Sequence, residues 1–232
     1  MNVQNAVALV TGANRGLGLA FAEALLERGA SKVYAAVRDP GSVHMPGVVP
    51  VRLDVTSAAD ITAAVPACPD VTLLINNAGI LRQDGARLLD DGSLEALRAE
   101  FETNVVGPLE LSRAFAPVLA RQGGGAIVNV LSALSWVNFP GAASYSVSKA
   151  AAWSLTNGLR GELRAQHTQV LAVHVGYIDT DMASAVQGPK VAPAEVVRQT
   201  LNGLEAGQDE VLADEVSRQV KQGLSGRPTV PQ

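Results

Sequence analysis

Thr11-Gly12-Ala13-Asn14-Arg15-Gly16-Leu17-Gly18 joins an apolar run, Ala6–Val10, to a segment of helical pattern, Leu17–Arg28, that stops at Gly29. A glycine-rich turn between a buried strand and a helix puts backbone N–H groups at the positive end of the helix, where a phosphate can bind. Small residues there allow a sharp turn, close approach of backbone to ligand, and tight packing of helix on strand. The spacing departs from G-x-G-x-x-G, and a plain tight turn would look the same. No G-x-x-x-x-G-K-[ST] occurs in the chain, so a phosphate-loop NTPase is not indicated.

Outward from this turn, two periods alternate. Ala6–Val10, Lys32–Val37, Val48–Leu53, Val71–Ile75, Ala126–Leu131 and Val170–Val175 are short runs rich in Val, Ile and Leu, as in parallel strands buried on both faces. Between them lie helical segments. Ser57, with Asp60 three residues on, reads as a capping box, and Ser93–Leu119 and Ser144–Gln166 are each long enough for several turns. Alternation of this kind predicts an α/β fold: a single-domain, Rossmann-type, doubly wound parallel sheet with helices on both faces. The domain is expected to span residues 1–224, followed by a flexible C-terminal tail over 225–232 that contains Gly226, Pro228 and Pro231.

Composition narrows the class. The 232 residues are 47% hydrophobic and 17% charged, which excludes general disorder. A net charge of −4, with both signs scattered, argues against nucleic-acid and anionic-membrane partners. Cys68 is the only cysteine, so no internal disulfide can form and a cytoplasmic location is expected. No apolar stretch approaches the roughly 18 residues of a membrane helix. His44, His167 and His174 lack metal-ligand spacing, and neither H-E-x-x-H nor G-x-S-x-G occurs, so no metal centre or acyl-enzyme is expected.

Tyr145 and Lys149 stand four residues apart on an expected helix and so share a face. A free phenol, with a pKa of about 10, exchanges protons poorly near neutrality, and a nearby ammonium is expected to lower it, making Tyr145 a general acid/base. Ser132 follows the fifth strand, where its hydroxyl could stabilise charge on a substrate oxygen, though it also reads as a loop cap. Asn104 reads equally as a polar residue within a helix.

The order TGxxxGxG, then Asp54-Val55, Asn76-Asn77-Ala78-Gly79, Asn104, Ser132 and Tyr145-Ser146-Val147-Ser148-Lys149 resembles the short-chain dehydrogenase/reductase family, from about Ala6 to Met182. The resemblance implies a catalytic set of Asn104, Ser132, Tyr145 and Lys149. In that set Tyr145 protonates the carbonyl oxygen, Lys149 holds the nicotinamide ribose, Ser132 positions substrate and Asn104 supports a water relay to Lys149. It also implies cofactor contacts from Gly12, Asn14, Arg15, Gly16, Leu17, Gly18, Asp54, Val55, Asn77, Ala78 and Gly79, with Ile178 and Thr180 at the nicotinamide. The helices Ser93–Leu119 and Ser144–Gln166 resemble those that family members pair across a two-fold axis, implying a homodimer or homotetramer. The apolar residues Phe101, Phe115, Trp153 and Leu159 on these helices would equally serve to cover the sheet.

Cofactor choice rests on the end of the second strand, Val37-Arg38-Asp39. NAD enzymes carry an acid where the ribose 2′-hydroxyl arrives, whereas an arginine accommodates a 2′-phosphate. Here Val37 takes the acid's place, and Arg38 with Arg15 is expected to hold the phosphate, favouring NADP(H) over NAD(H). In the alternative, Asp39 reaches the ribose and both arginines are ordinary surface charges. After the sixth strand, Val175-Gly176 replaces the family's Pro-Gly, which leaves the rigidity of that turn open. Only Ala183–Val191 precede the next helical start at Pro193, so the cleft is expected to be open and weakly selective. Leu81, Leu134, Trp136, Phe139, Tyr177 and Met182 are the expected substrate residues and suggest an uncharged hydrophobic ketone, aldehyde or alcohol, though any one could be core. Two functions follow: an NADPH-dependent carbonyl reductase, or a cofactor-binding sensor that kept the fold without turnover.

Overall fold

Strands form where β-branched and small apolar residues cluster, because both faces of each strand must be covered. In the computed structural model, which describes residues 1–225, these are β1 (Val7–Thr11), β2 (Lys32–Val37), β3 (Val49–Arg52), β4 (Leu73–Asn76), β5 (Gly125–Val130), β6 (Thr168–His174) and β7 (Glu210–Leu212). All neighbours pair in parallel, in the order β3-β2-β1-β4-β5-β6-β7. The order reverses direction between β1 and β4, and ligands of such sheets bind outside the carboxyl ends of the strands at that point. β3 departs from expectation: it is an edge strand, mostly exposed, and carries Pro50. Proline is tolerated at an edge, where an N–H need not join a ladder.

Two apolar layers cover the sheet. On one face, Leu17, Phe21 and Leu25 of α1 (Gly16–Glu27) meet Val197, Leu201 and Leu204 of α6 (Pro193–Glu205) over Val10, Val33, Ile75 and Val128. On the other, Ile61 of α2 (Ala58–Ala67), Leu111 and Phe115 of α4 (Gly107–Arg121), and Leu159 of α5 (Ala143–Glu162) cover Leu9, Leu74 and Ile127. The doubly wound, two-faced architecture read from the sequence is the one observed. Except for Ser225, which lies in an exposed turn, the expected tail lies outside the described residues.

Helix ends follow local chemistry with two departures. α1 closes at Gly29, whose φ of 80° only glycine adopts without strain. Ser57 Oγ accepts from Asp60 N as expected, but Asp60 does not return the bond; its Oδ2 accepts from Asp54 N at 3.0 Å, so the cap is not reciprocal. The stretch expected as one helix over Ser93–Leu119 contains α3 (Ser93–Phe101), a π-helical turn over Glu102–Val106, and then α4. Gly107 N donates to Glu102 O, and Pro108 has no N–H to give the carbonyl of Asn104. The last helix, α7 (Glu215–Gly223), begins with Asp214 Oδ1 accepting from Ser217 N.

Gly18 shows how closely α1 approaches the turn before it. A Cβ there would lie 2.1 Å from the Gly12 carbonyl oxygen and 2.6 Å from Asn77 Nδ2. Gly18→Ala is therefore expected to destabilise the fold by about 1–3 kcal/mol as an overpacked contact. Urea unfolding checks this, and a midpoint equal to wild type would contradict it.

Candidate active site

The switch between β1 and β4 is built by Thr11 and Asn77. Thr11 Oγ1 donates to Ile75 O and accepts from Asn77 N and Ala78 N, while Asn77 Nδ2 donates to Thr11 O at 2.8 Å. These bonds fix the glycine-rich turn, in which Gly12 and Gly16 have φ of 67° and 55°. α1 starts without a side-chain cap, since Arg15 offers no acceptor. Its first N–H groups are thus free to meet an anion, and Gly16 holds the backbone open there, a Cβ on it lying 3.2 Å from Thr180 Cγ2. The side chain of Leu17 is buried in the core, so only its backbone can serve the cradle.

At the end of β2, Val37 is buried and Arg38 is exposed. Asp39 Oδ1 accepts from Gly41 N at 3.0 Å, capping the short turn Pro40–Ser42. Asn14 ties the glycine-rich turn to the same place through Nδ2 to Ser42 Oγ. Thr56 hydrogen bonds hold the Asp54 carboxyl below the usual range, helped by the charges of Arg38 and Arg52. Arg15 does not join Arg38; its guanidinium pairs with Asp181 at 3.2 Å across the cleft, both ends largely exposed. Such a pair is weak enough to exchange for a phosphate contact.

Ser132, Tyr145, Lys149 and Asn104 come together beyond the carboxyl ends of β4 and β5. Ser132 follows β5 in extended conformation, and its Oγ accepts from Leu134 N at 3.1 Å. The cap reading of Ser132 is therefore correct, and it leaves the hydroxyl proton free to point elsewhere. Tyr145 and Lys149 lie one turn apart on α5, with Lys149 Nζ 5.5 Å from the centre of the Tyr145 ring. Lys149 is 6% exposed, and Nζ donates to Val130 O at 2.9 Å. Burial brings the Lys149 ammonium down to about 8. Asn104 Oδ1 accepts from Ile80 N, and its Nδ2 donates to Ile80 O and Ser148 Oγ, locking the π turn to the loop after β4 and to α5.

One electrostatic expectation is corrected. The Tyr145 phenol is raised, not lowered: burial and the charge of Glu100 outweigh its hydrogen bond with Ser132. Lys149 Nζ stands 5.5 Å from the centre of the ring and donates its hydrogen bond to Val130 O, not to the phenol, and the desolvation prevails.

The six expected substrate residues divide. Leu81 and Leu134 are half-buried, and Phe139, Tyr177 and Met182 are exposed on loops after β5 and β6. Trp136 instead turns behind the Ser132 turn, stacking on His174 and meeting Trp153 edge-on. The segment after β6 is short and closed on itself, Ile178 bridging to Val191 and Val191 N donating to Tyr177 O. Gly176 N donates to Asp214 Oδ2 at 2.8 Å, so the turn that lacks proline is tied to the residue capping α7.

Glu100, Asn129 and Thr156 were not singled out in the sequence. Glu100 is fully buried beside the site; its Oε1 accepts from Arg82 N and its Oε2 has no partner. Asn76 Nδ2 donates to Asn129 Oδ1, whose Nδ2 in turn donates to Thr156 Oγ1, a polar chain beneath Lys149. Buried acids and amides carry no periodicity that marks them before the fold is known. Among the described residues, no group of His, Cys, Asp and Glu could hold a metal ion, and no helix is long and apolar enough to cross a membrane.

Comparison with known proteins agrees with this geometry. A short-chain dehydrogenase from Burkholderia cenocepacia J2315, solved in complex with NADP, is 46% identical and superposes with a TM-score of 0.93 over 98% of this chain and 95% of its own. The NADPH-bound carbonyl reductase from chicken fatty liver is 33% identical, with a TM-score of 0.79 over 90% of this chain and 94% of its own. A 3-oxoacyl-[acyl-carrier-protein] reductase of Vibrio cholerae is 34% identical over 195 residues, 80% of this chain and 79% of that protein. Residues 6–190 match the short chain dehydrogenase family, and with the glycine-rich cradle and the Ser132, Tyr145 and Lys149 cluster in one cleft, the chain is an oxidoreductase of that family.

Proposed function

We propose that the protein is an NADPH-dependent carbonyl reductase acting on small hydrophobic ketones or aldehydes, with Tyr145 as the general acid. The observation that carries this reading is the convergence of a half-buried phenol, a buried ammonium and a serine hydroxyl hydrogen-bonded to that phenol, at the switch point of the sheet. Bound NADPH supplies the hydride. Tyr145 gives its proton to the carbonyl oxygen as that oxygen gains charge, and its raised pKa keeps the proton in place beforehand. Ser132 Oγ, already accepting from Leu134 N, donates to the same oxygen. Lys149 has donors beyond the one spent on Val130 and holds the ribose hydroxyls with them. The Asn104 carbonyl, denied a helical donor by Pro108, accepts from the relay water.

NADPH is favoured because Val37 occupies the acid's position, one oxygen of Asp39 caps a turn, and Arg38 is exposed and in no ion pair among the described residues. The solved relatives bound to NADP and NADPH support this choice. The short closed loop over 177–191 and the exposed Phe139, Tyr177 and Met182 fit an open cleft for apolar substrates. We further read the α3–α4 segment and α5 as the surface that pairs with a second copy: Phe115 of α4 and Leu159 of α5 cover the sheet, while Phe101 at the end of α3 stays exposed and Trp153 and Leu155 of α5 are half-buried.

Absorbance of reduced nicotinamide, followed with a panel of carbonyl compounds, tests the reading. Tyr145→Phe is expected to lower kcat by about 10²–10⁴-fold, the usual worth of a general acid, while NADPH affinity measured by fluorescence stays within twofold of wild type. A variant that keeps most of its turnover would remove Tyr145 from the mechanism. Arg38→Asp is expected to weaken NADPH by about 2 kcal/mol or more, through loss of a charge-assisted bond and repulsion of the phosphate, with little loss for NADH. Equal kcat/KM ratios for the two cofactors in wild type and variant would contradict the assignment.

A further inference from the structure

His174 has no role in the reading above, yet it is fully buried and meets functional groups on every side. Its Nδ1 lies 3.0 Å from the carbonyl oxygen of Ser132. A carbonyl can only accept, so Nδ1 carries the proton. Trp136 stacks on the imidazole with centroids 3.9 Å apart and planes 18° apart. Nε2 stands 3.2 Å from Glu210 Oε1 without the alignment of a hydrogen bond. Glu210 is ion-paired with Lys221 of α7, whose Nζ lies 5.5 Å over the Trp136 ring. Burial brings the imidazole down to about 4, against the pull of the Ser132 bond and with help from Lys221, Lys149 and Arg160, so near neutrality it is uncharged.

The same peptide is tied twice to β6. Ser132 O accepts from His174, and the next N–H, that of Ala133, donates to Val175 O at 3.1 Å. The Ser132–Ala133 peptide plane is thereby fixed, and with it the base from which the Ser132 side chain projects. Without the Nδ1 donor, a buried carbonyl would lose its partner and the peptide could rotate to find another. A hydroxyl displaced by a fraction of an ångström no longer meets developing charge well.

We propose that His174 is a positioning residue for Ser132: its Nδ1–H holds the Ser132 peptide so that the hydroxyl is aimed at the substrate oxygen, and Trp136, itself covered by Lys221, holds the ring in register by stacking. The role rests on the assignment of Ser132 given under the proposed function. It explains why Trp136 turns away from the cleft, and it gives the C-terminal elements β7 and α7 a part in catalysis without contact with substrate.

A double-mutant cycle read in kcat separates positioning from mere structural support. His174→Phe keeps an aromatic ring against Trp136 but removes the donor, and it is expected to lower kcat about 10-fold with NADPH affinity unchanged. Placed in a Ser132→Ala background, the same change is expected to cost less than twofold further, because the group it positions is gone. Additive losses would overturn the proposal, as would wild-type kcat in His174→Phe. If His174→Phe does not fold, His174→Asn and His174→Gln decide the matter. An Asn amide can replace the Nδ1 donor and should recover kcat to within about threefold, whereas the longer Gln places its amide at Nε2 and should not; equal activities would overturn the proposal. A Ser132→Ala enzyme with full activity would instead show that the Ser132 assignment itself has failed.

Discussion

The ammonium of Lys149 lies in the interior with one identified hydrogen-bond acceptor, the Val130 carbonyl, and much of the site is arranged around it. Burying a charge is unfavourable unless it is paired, and among the described residues this one has no carboxylate partner. Gly79 leaves space beside it: a Cβ there would lie 3.1 Å from Asn104 Oδ1 and 3.8 Å from Lys149 Nζ. The π turn that carries Asn104 widens α3–α4 at the same level, and the Asn76, Asn129 and Thr156 chain lies beneath. Four elements thus meet around a side chain that the apoprotein holds at a cost. That is the pattern of a site built for a ligand whose hydroxyls complete the shell of donors and acceptors.

Much of the frame was legible because its signals are local. Runs such as Lys32–Val37 and Ala126–Leu131 become strands wherever they are paired, and Gly29 ends α1 for a reason internal to the turn. The glycine-rich turn, Ser132, and the Tyr145 and Lys149 pair were legible for the same reason: each depends on spacing within one element or at its end. What was not legible depends on neighbours distant in sequence. The exposure of β3 follows from its place at the sheet edge, and the π turn follows from what Asn104 must reach as much as from Pro108. The direction of the Tyr145 shift reversed because the four-residue spacing reports that Lys149 is near, but not that the phenol is desolvated, that Glu100 is buried close by, or that Lys149 directs its hydrogen bond to Val130 O. Arg15 pairs with Asp181, a residue 166 positions away.

The C-terminal third supplies rigidity that the sequence lacks elsewhere. Val175-Gly176 depends on Asp214: its Oδ2 accepts from Gly176 N while its Oδ1 caps α7. A Cβ on Gly176 would lie 2.7 Å from that Oδ2, so glycine is needed for the approach. The same helix sends Lys221 over Trp136 and into the ion pair with Glu210. Two active-site turns, one after β5 and one after β6, are therefore braced from a single short helix.

If Lys149 is held at a cost for the sake of function, removing its charge should stabilise the empty protein. With its pKa lowered to about 8 from an ordinary value of 10.5, the native state pays for the ammonium at all pH values below about 8, and the penalty fades as pH rises from there toward 10.5. The most direct measurement is the urea unfolding free energy of wild type and Lys149→Met across pH 6–10. The variant should be more stable at pH 7, by an amount that shrinks above pH 8, while losing oxidoreductase activity. A variant less stable than wild type at every pH would contradict the account, because Lys149 would then be supporting the fold rather than held against it.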